Sequence, residues 1–169
     1  MEILKIAQDW ARAEVFSTRF FILFALIFLA ASVGFWQLGK TELAKGYVIP
    51  LLVAGVLLMT IGLGLFFTNR SRINQFEVAY NQDAQAFRLS EIERTKSTLK
   101  EYRVVFKVIP TIIMAAALII FFTNNPTWRA ISITTITMMI MILLVDGTAY
   151  ARIETYQKEL TTITRPNGE

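Results

Sequence analysis

Four apolar runs, at residues 17–36, 47–67, 104–122 and 128–149, dominate this sequence. A helix rises about 1.5 Å per residue, so about 20 apolar residues cross the roughly 30 Å hydrocarbon core of a bilayer. Each run has that length. Composition agrees: 54% of the residues are hydrophobic and 18% charged, against roughly 45–50% and about 25% in soluble chains. The runs predict an all-α, integral membrane four-helix bundle with helices packed in the lipid.

The connections are unequal. Residues 37–46 and 123–127 are short, and Asn125-Pro126-Thr127-Trp128 places a cap, a first-turn proline and an interfacial aromatic at the start of the fourth span. Residues 68–103 are long, charged and periodic. Ile73, Phe76 and Tyr80 fall at i, i+3 and i+7, and Leu89, Ile92 and Leu99 form a second, imperfect seam. Asn81-Gln82-Asp83 is the expected turn, with the next helix beginning near Ala84 or capped by Ser90 and Glu93. Beyond the fourth span, at 150–160, Ile153, Tyr156 and Leu160 repeat the stripe. Stripes this short are unstable alone in water. Together they predict that transmembrane helices 2, 3 and 4 extend into a cytoplasmic helical bundle, in a single domain over 1–169. A short tail at 161–169 is expected to be disordered. Residues 1–16 read as an interfacial helix with Trp10 at headgroup level. The first span reads as retained rather than as a cleaved signal peptide, because the segment before it is long and contains acids.

Orientation follows from charge. Lys40, Lys45 and Arg129 lie on one side, and the other fourteen of the seventeen Lys and Arg residues lie on the other. Positive residues favour the cytoplasm, so both termini and the hairpin are expected inside, in a plasma or inner membrane.

Residue types narrow the chemistry. With no His and no Cys, thiolate chemistry, imidazole bases and the common zinc, haem and copper ligand sets are excluded. No catalytic, cofactor-binding or metal-binding constellation is expected. The net charge of +4 is spread among acids and beside membrane runs, so nucleic acid is not an expected partner. The segment 146–152, Asp-Gly-Thr-Ala-Tyr-Ala-Arg, resembles the DG-x-x-AR start of the CDP-alcohol phosphotransferase family. Here one extra residue intervenes, which rotates Arg152 by about 100° on a helix, and the family's two later aspartates have no counterpart. The metal face of that family is therefore not assembled.

Three groups of residues remain as candidates. Lys107 and Asp146 each lie about one turn inside a span and are expected to form an intramembrane ion pair. Gly55, Gly62 and Gly64 thin one side of the second span for helix packing, within the chain or between copies. The cytoplasmic stripes offer a docking surface, with Glu77, Arg88, Glu91 and Arg94 as its polar residues. The expected function is non-catalytic: a scaffold, accessory subunit or regulator with the lipid bilayer around it and a membrane or cytoplasmic protein as partner. The alternative is a homo-oligomeric channel or transporter subunit, with Ser132, Thr134, Thr135 and Thr137 towards a pore.

Overall fold

The computed structural model describes residues 2–163. These form α1 (Glu2–Leu38), α2 (Glu42–Gly46), α3 (Val48–Gln82), α4 (Ala84–Phe122) and α5 (Pro126–Thr162). The fold is all-α. Four long helices pack as a bundle, each long and apolar enough to cross a membrane. Of the expected tail, residues 161 and 162 belong to α5, and 164–169 lie outside the described residues.

The joints form where local chemistry predicts them. The chain turns from α3 to α4 at Asp83, whose backbone is extended and whose Oδ1 accepts from the amides of Gln85 and Ala86. Asn125 caps α5 in the same way, through the amides of Thr127 and Trp128, with Pro126 at the first helical position. The Ser90 hydroxyl instead donates to its own helix, at Phe87 O. Thr41 caps the short α2 through the amide of Ala44.

The α1 helix differs from expectation. Residues 2–16 are not a separate surface helix but the first part of one unbroken α1, packed against the bundle. The reason is a seam: Ala7, Ala11, Glu14, Thr18, Phe21, Ala25, Phe28 and Ser32 are all buried. Their spacings alternate four and three, the repeat that keeps one helix face against a neighbour. Mostly small residues on this seam allow close approach, and α1 accordingly packs more extensively against α3 than any other pair of helices does. At the α2 end the Ser32 hydroxyl donates to Val48 O on α3.

The second large contact is α4 with α5, and α1 joins the two pairs by also packing on α5. Although Asp83 connects α3 directly to α4, these two helices touch little. Two apolar cores result. One, around Phe21, Phe28, Leu58 and Val145, lies among the spans. The other lies at the hairpin end and joins Trp10, Phe76, Phe87, Ile153, Tyr156 and Leu160.

Candidate functional site

The hairpin-end core is built around Tyr156 and Trp10. Their rings stack at 5.2 Å with an interplanar angle of 9°. The Arg94 guanidinium sits 4.5 Å from the Trp10 ring centroid, and that of Arg72 at 5.9 Å. Arg94 in turn grips Glu91 with two hydrogen bonds, 2.8 Å from Nε and 2.6 Å from Nη2. The Tyr156 hydroxyl donates to the same carboxylate at 2.8 Å. Glu91 is thus satisfied from two helices although it is only 5% exposed. Burial opposes the charge on Arg94, but the Glu91 contacts outweigh it and hold the guanidinium above its ordinary value.

A second buried pair ties α1 to α5. Arg152 Nε donates to Glu14 Oε1 at 3.0 Å. Burial raises the Glu14 carboxyl above its ordinary value despite that partner. Near the end of α5, Arg88 Nε donates to Leu160 O at 2.8 Å, a favourable place for a cation near a helix C-terminus.

Burial, and then the Glu91 carboxylate, push the Tyr156 hydroxyl above its ordinary value of 10.0. Above pH 10 the unfolded chain therefore releases a proton that the folded chain retains, and stability falls as pH rises. The slope is about 1.4 kcal/mol per pH unit for each such tyrosine. Tyr102, raised first by burial, adds to it. Tyr156→Phe should lower stability at pH 8, where its hydrogen bond is lost, yet give a shallower decline above pH 10. Thermal unfolding followed by circular dichroism from pH 8 to 11 reads both effects.

Below this cluster, between α3 and α4, lies a cavity of about 380 Å³. Its floor carries Phe21, Ile61, Leu65, Val105 and Ile142, and its upper wall carries Arg72 and Arg94. Glu14 and Asp146 line it from α1 and α5, and Tyr102 and Glu101 from α4. Arg72 donates to Asn69 Oδ1 at 2.9 Å but forms no ion pair among the described residues. A larger groove of about 740 Å³ lies between α3 and α5 near α2. Thr134 lines it, and its buried hydroxyl, like that of Ser132, has no partner among the described residues.

The candidate residues are distributed as follows. Ile73, Phe76, Tyr80, Ile92, Leu99, Ile153, Tyr156 and Leu160 all belong to the hairpin-end core. Leu89 does not: it is 57% exposed, and Phe87 takes the buried position. Gly55 and Gly62 both face α1. A Cβ on Gly55 would meet Leu29 Cγ at 2.7 Å, and one on Gly62 would meet Phe21 Cβ at 3.0 Å. Both glycine positions are thus filled by α1 within the chain. Gly64 has nothing within 4 Å of its Cβ position. The Lys107–Asp146 pair is not formed. Lys107 is exposed on the side of α4 opposite its buried residues Phe87, Glu91, Ile109 and Ala116, whereas Asp146 lines the cavity from α5. Of the residues expected at a docking surface, Glu91 is buried and Arg94 half-buried, paired with each other against the hairpin-end core. Arg152, the false match to a metal motif, holds Glu14.

No family model, curated protein or solved structure matches this chain.

Proposed function

We propose that this protein is a non-catalytic membrane subunit that docks a second membrane protein along the outer face of α4. One observation carries this reading. At 100° per residue, Leu89, Lys96, Lys100, Arg103, Lys107, Met114, Leu118 and Phe121 fall within an arc of roughly 60° on α4. All eight are exposed, Met114 at 67% and Phe121 at 81%. After Leu89 the face is basic as far as Lys107, one turn inside the third span, and apolar beyond it. None of its four cations makes an ion pair among the described residues.

The occupant that fits is a membrane helix continuing into an acidic segment on the same side. Lipid alone fits less well. Lys96 stands about 16 Å along the helix from Lys107, beyond the roughly 8 Å over which charges act at physiological salt. Headgroups level with Lys107 leave Lys96 and Lys100 unengaged, while an acidic helix alongside α4 meets all four. A second copy of this chain fits poorly too. A two-fold axis along the membrane normal lays α4 parallel to its copy, lysine against lysine. The fourteen-to-three distribution of basic residues favours the hairpin on the cytoplasmic side.

The test is native mass spectrometry of protein extracted gently from its own membrane. A second polypeptide should be retained by the wild type and lost from the Lys96→Glu/Lys100→Glu/Arg103→Glu variant. Cross-linking from positions 100 and 114 should reach an acidic segment and an apolar helix of one partner. Recovery of a homo-oligomer or a bare monomer, or a partner retained after charge reversal, overturns the reading.

A further inference from the structure

The cavity between α3 and α4 holds two groups of opposite sign, Arg72 and Asp146, that form no ion pair among the described residues. Arg72 is half-buried, and its one hydrogen bond goes to a neutral amide. Its charge is opposed first by burial and then by Arg94 nearby, and is favoured by the more distant Glu91 and Glu14 carboxylates. Asp146 is half-buried and, among the described residues, has neither a hydrogen bond nor an ion pair. Ionisable groups at such a depth are costly unless partnered. They do not partner each other: Arg72 reaches Asn69, one turn back on its own helix, and Asp146 approaches from α5 on the far side.

The walls between them are divided in character. Near Asp146 stand Glu14, whose Arg152 bond uses Oε1, and the phenol of Tyr102. Three oxygen-bearing side chains from three helices there suit an ammonium group. At the other end, Arg72 and Arg94 suit an anion. Asn69, Thr98 and Glu101 are the other polar residues of the lining, the rest is apolar, and Ile61 and Leu65, both about two-fifths exposed, stand at the mouth on α3. The cavity straddles the ends of the second and fourth spans, the depth at which lipid headgroups meet acyl chains. Its volume of about 380 Å³ lies within the roughly 300–1,000 Å³ of small-ligand sites.

From this arrangement we infer that the cavity binds a phosphoethanolamine group, its phosphate on Arg72 and its ammonium between Asp146 and Glu14, carried by a phospholipid whose chains leave past Ile61 and Leu65. The inference does not require the partner on α4. The ammonium is the discriminating element. Phosphatidylglycerol lacks it, and phosphatidylcholine replaces its N–H donors with methyl groups.

The experiment uses the full-length protein in detergent micelles, with phosphatidylethanolamine, phosphatidylcholine and phosphatidylglycerol of identical chains added separately. Binding is read as lipid retained in native mass spectrometry and as a rise in Tm, since a ligand that binds only the folded state stabilises it. Phosphatidylethanolamine should bind roughly tenfold more tightly than either of the others, the scale of one charge-assisted contact. Asp146→Asn should reduce that preference to near unity, and Arg72→Gln should weaken all three. Asp146 has no partner to lose, so the Asn variant should keep the wild-type helicity and elution volume. Free O-phosphoethanolamine identifies the source. A Tm rise from it assigns the site to the headgroup alone, and a rise only from the intact lipid shows that the chains contribute. Equal binding of the three lipids, or a preference that survives Asp146→Asn, overturns the proposal.

Discussion

Replacing Arg94 with Met should destabilise the hairpin end by about 3–5 kcal/mol, the cost of leaving one member of a buried ion pair without its partner. The stranded group is Glu91, 5% exposed, which would keep only the Tyr156 hydroxyl. Glu91→Met should cost a similar amount, since Arg94 then loses both of its carboxylate bonds. The informative variant is the pair together. Two apolar residues in place of a buried ion pair often leave stability unchanged or improved, so Glu91→Met/Arg94→Met should be far less harmful than either change alone. A residual cost of about 1–3 kcal/mol is expected from Tyr156, whose buried hydroxyl would have no acceptor. Adding Tyr156→Phe should recover much of it. Thermal unfolding in detergent, followed by circular dichroism and by the fluorescence of Trp10 against its stacked neighbour, measures the set. If the double variant is as unstable as the sum of the singles, Glu91 and Arg94 are not energetically coupled.

This cluster also marks where reading the sequence falls short. The spans were legible because run length alone decides whether a helix can cross a bilayer, and the turns at Asp83 and Asn125 because capping chemistry is local. The stripes Ile73/Phe76/Tyr80 and Ile153/Tyr156/Leu160 were legible because their core positions are apolar. On α4 the core positions include Glu91 and Thr95, both buried. A pattern of apolar residues cannot register them, so it settles on Leu89 instead of Phe87. The small-residue seam of α1 was hidden for a related reason. Ala7 and Ala11 contribute little to a hydrophobic count, although alternating fours and threes from Ala7 to Ser32 run through the sequence. Depth alone pairs Lys107 with Asp146. Depth says nothing about azimuth, and on α4 Lys107 lies with Lys96, Lys100 and Arg103, away from α5.

Azimuth also sets the expected order of effect among three glycines on α3. Gly62→Leu should be the most damaging, because the first carbon added meets Phe21 Cβ and Ile22 Cγ1 at 3.0 Å and the Ile22 backbone nitrogen at 3.1 Å. Those atoms lie on or next to the α1 main chain and move only if the helices part. Forcing such a contact costs about 1–3 kcal/mol in a well-packed core. Here the upper end is expected, since the α1–α3 seam continues from the spans into the hairpin end and any separation spreads along it. Gly55→Ala should cost less. Its nearest neighbours at 2.7 and 2.8 Å are Leu29 side-chain atoms, which can change rotamer, although Ala25 O at 3.2 Å remains fixed. Gly64→Ala meets nothing within 4 Å and should be neutral, or stabilising by up to about 1 kcal/mol through helix propensity. Unfolding midpoints of the three variants should therefore fall in the order Gly64→Ala, Gly55→Ala, Gly62→Leu. The mass of the assembly should be unchanged in Gly55→Ala, because Gly55 faces α1 within the chain. Loss of a homo-oligomer on Gly55→Ala with the midpoint intact would instead place that glycine between subunits.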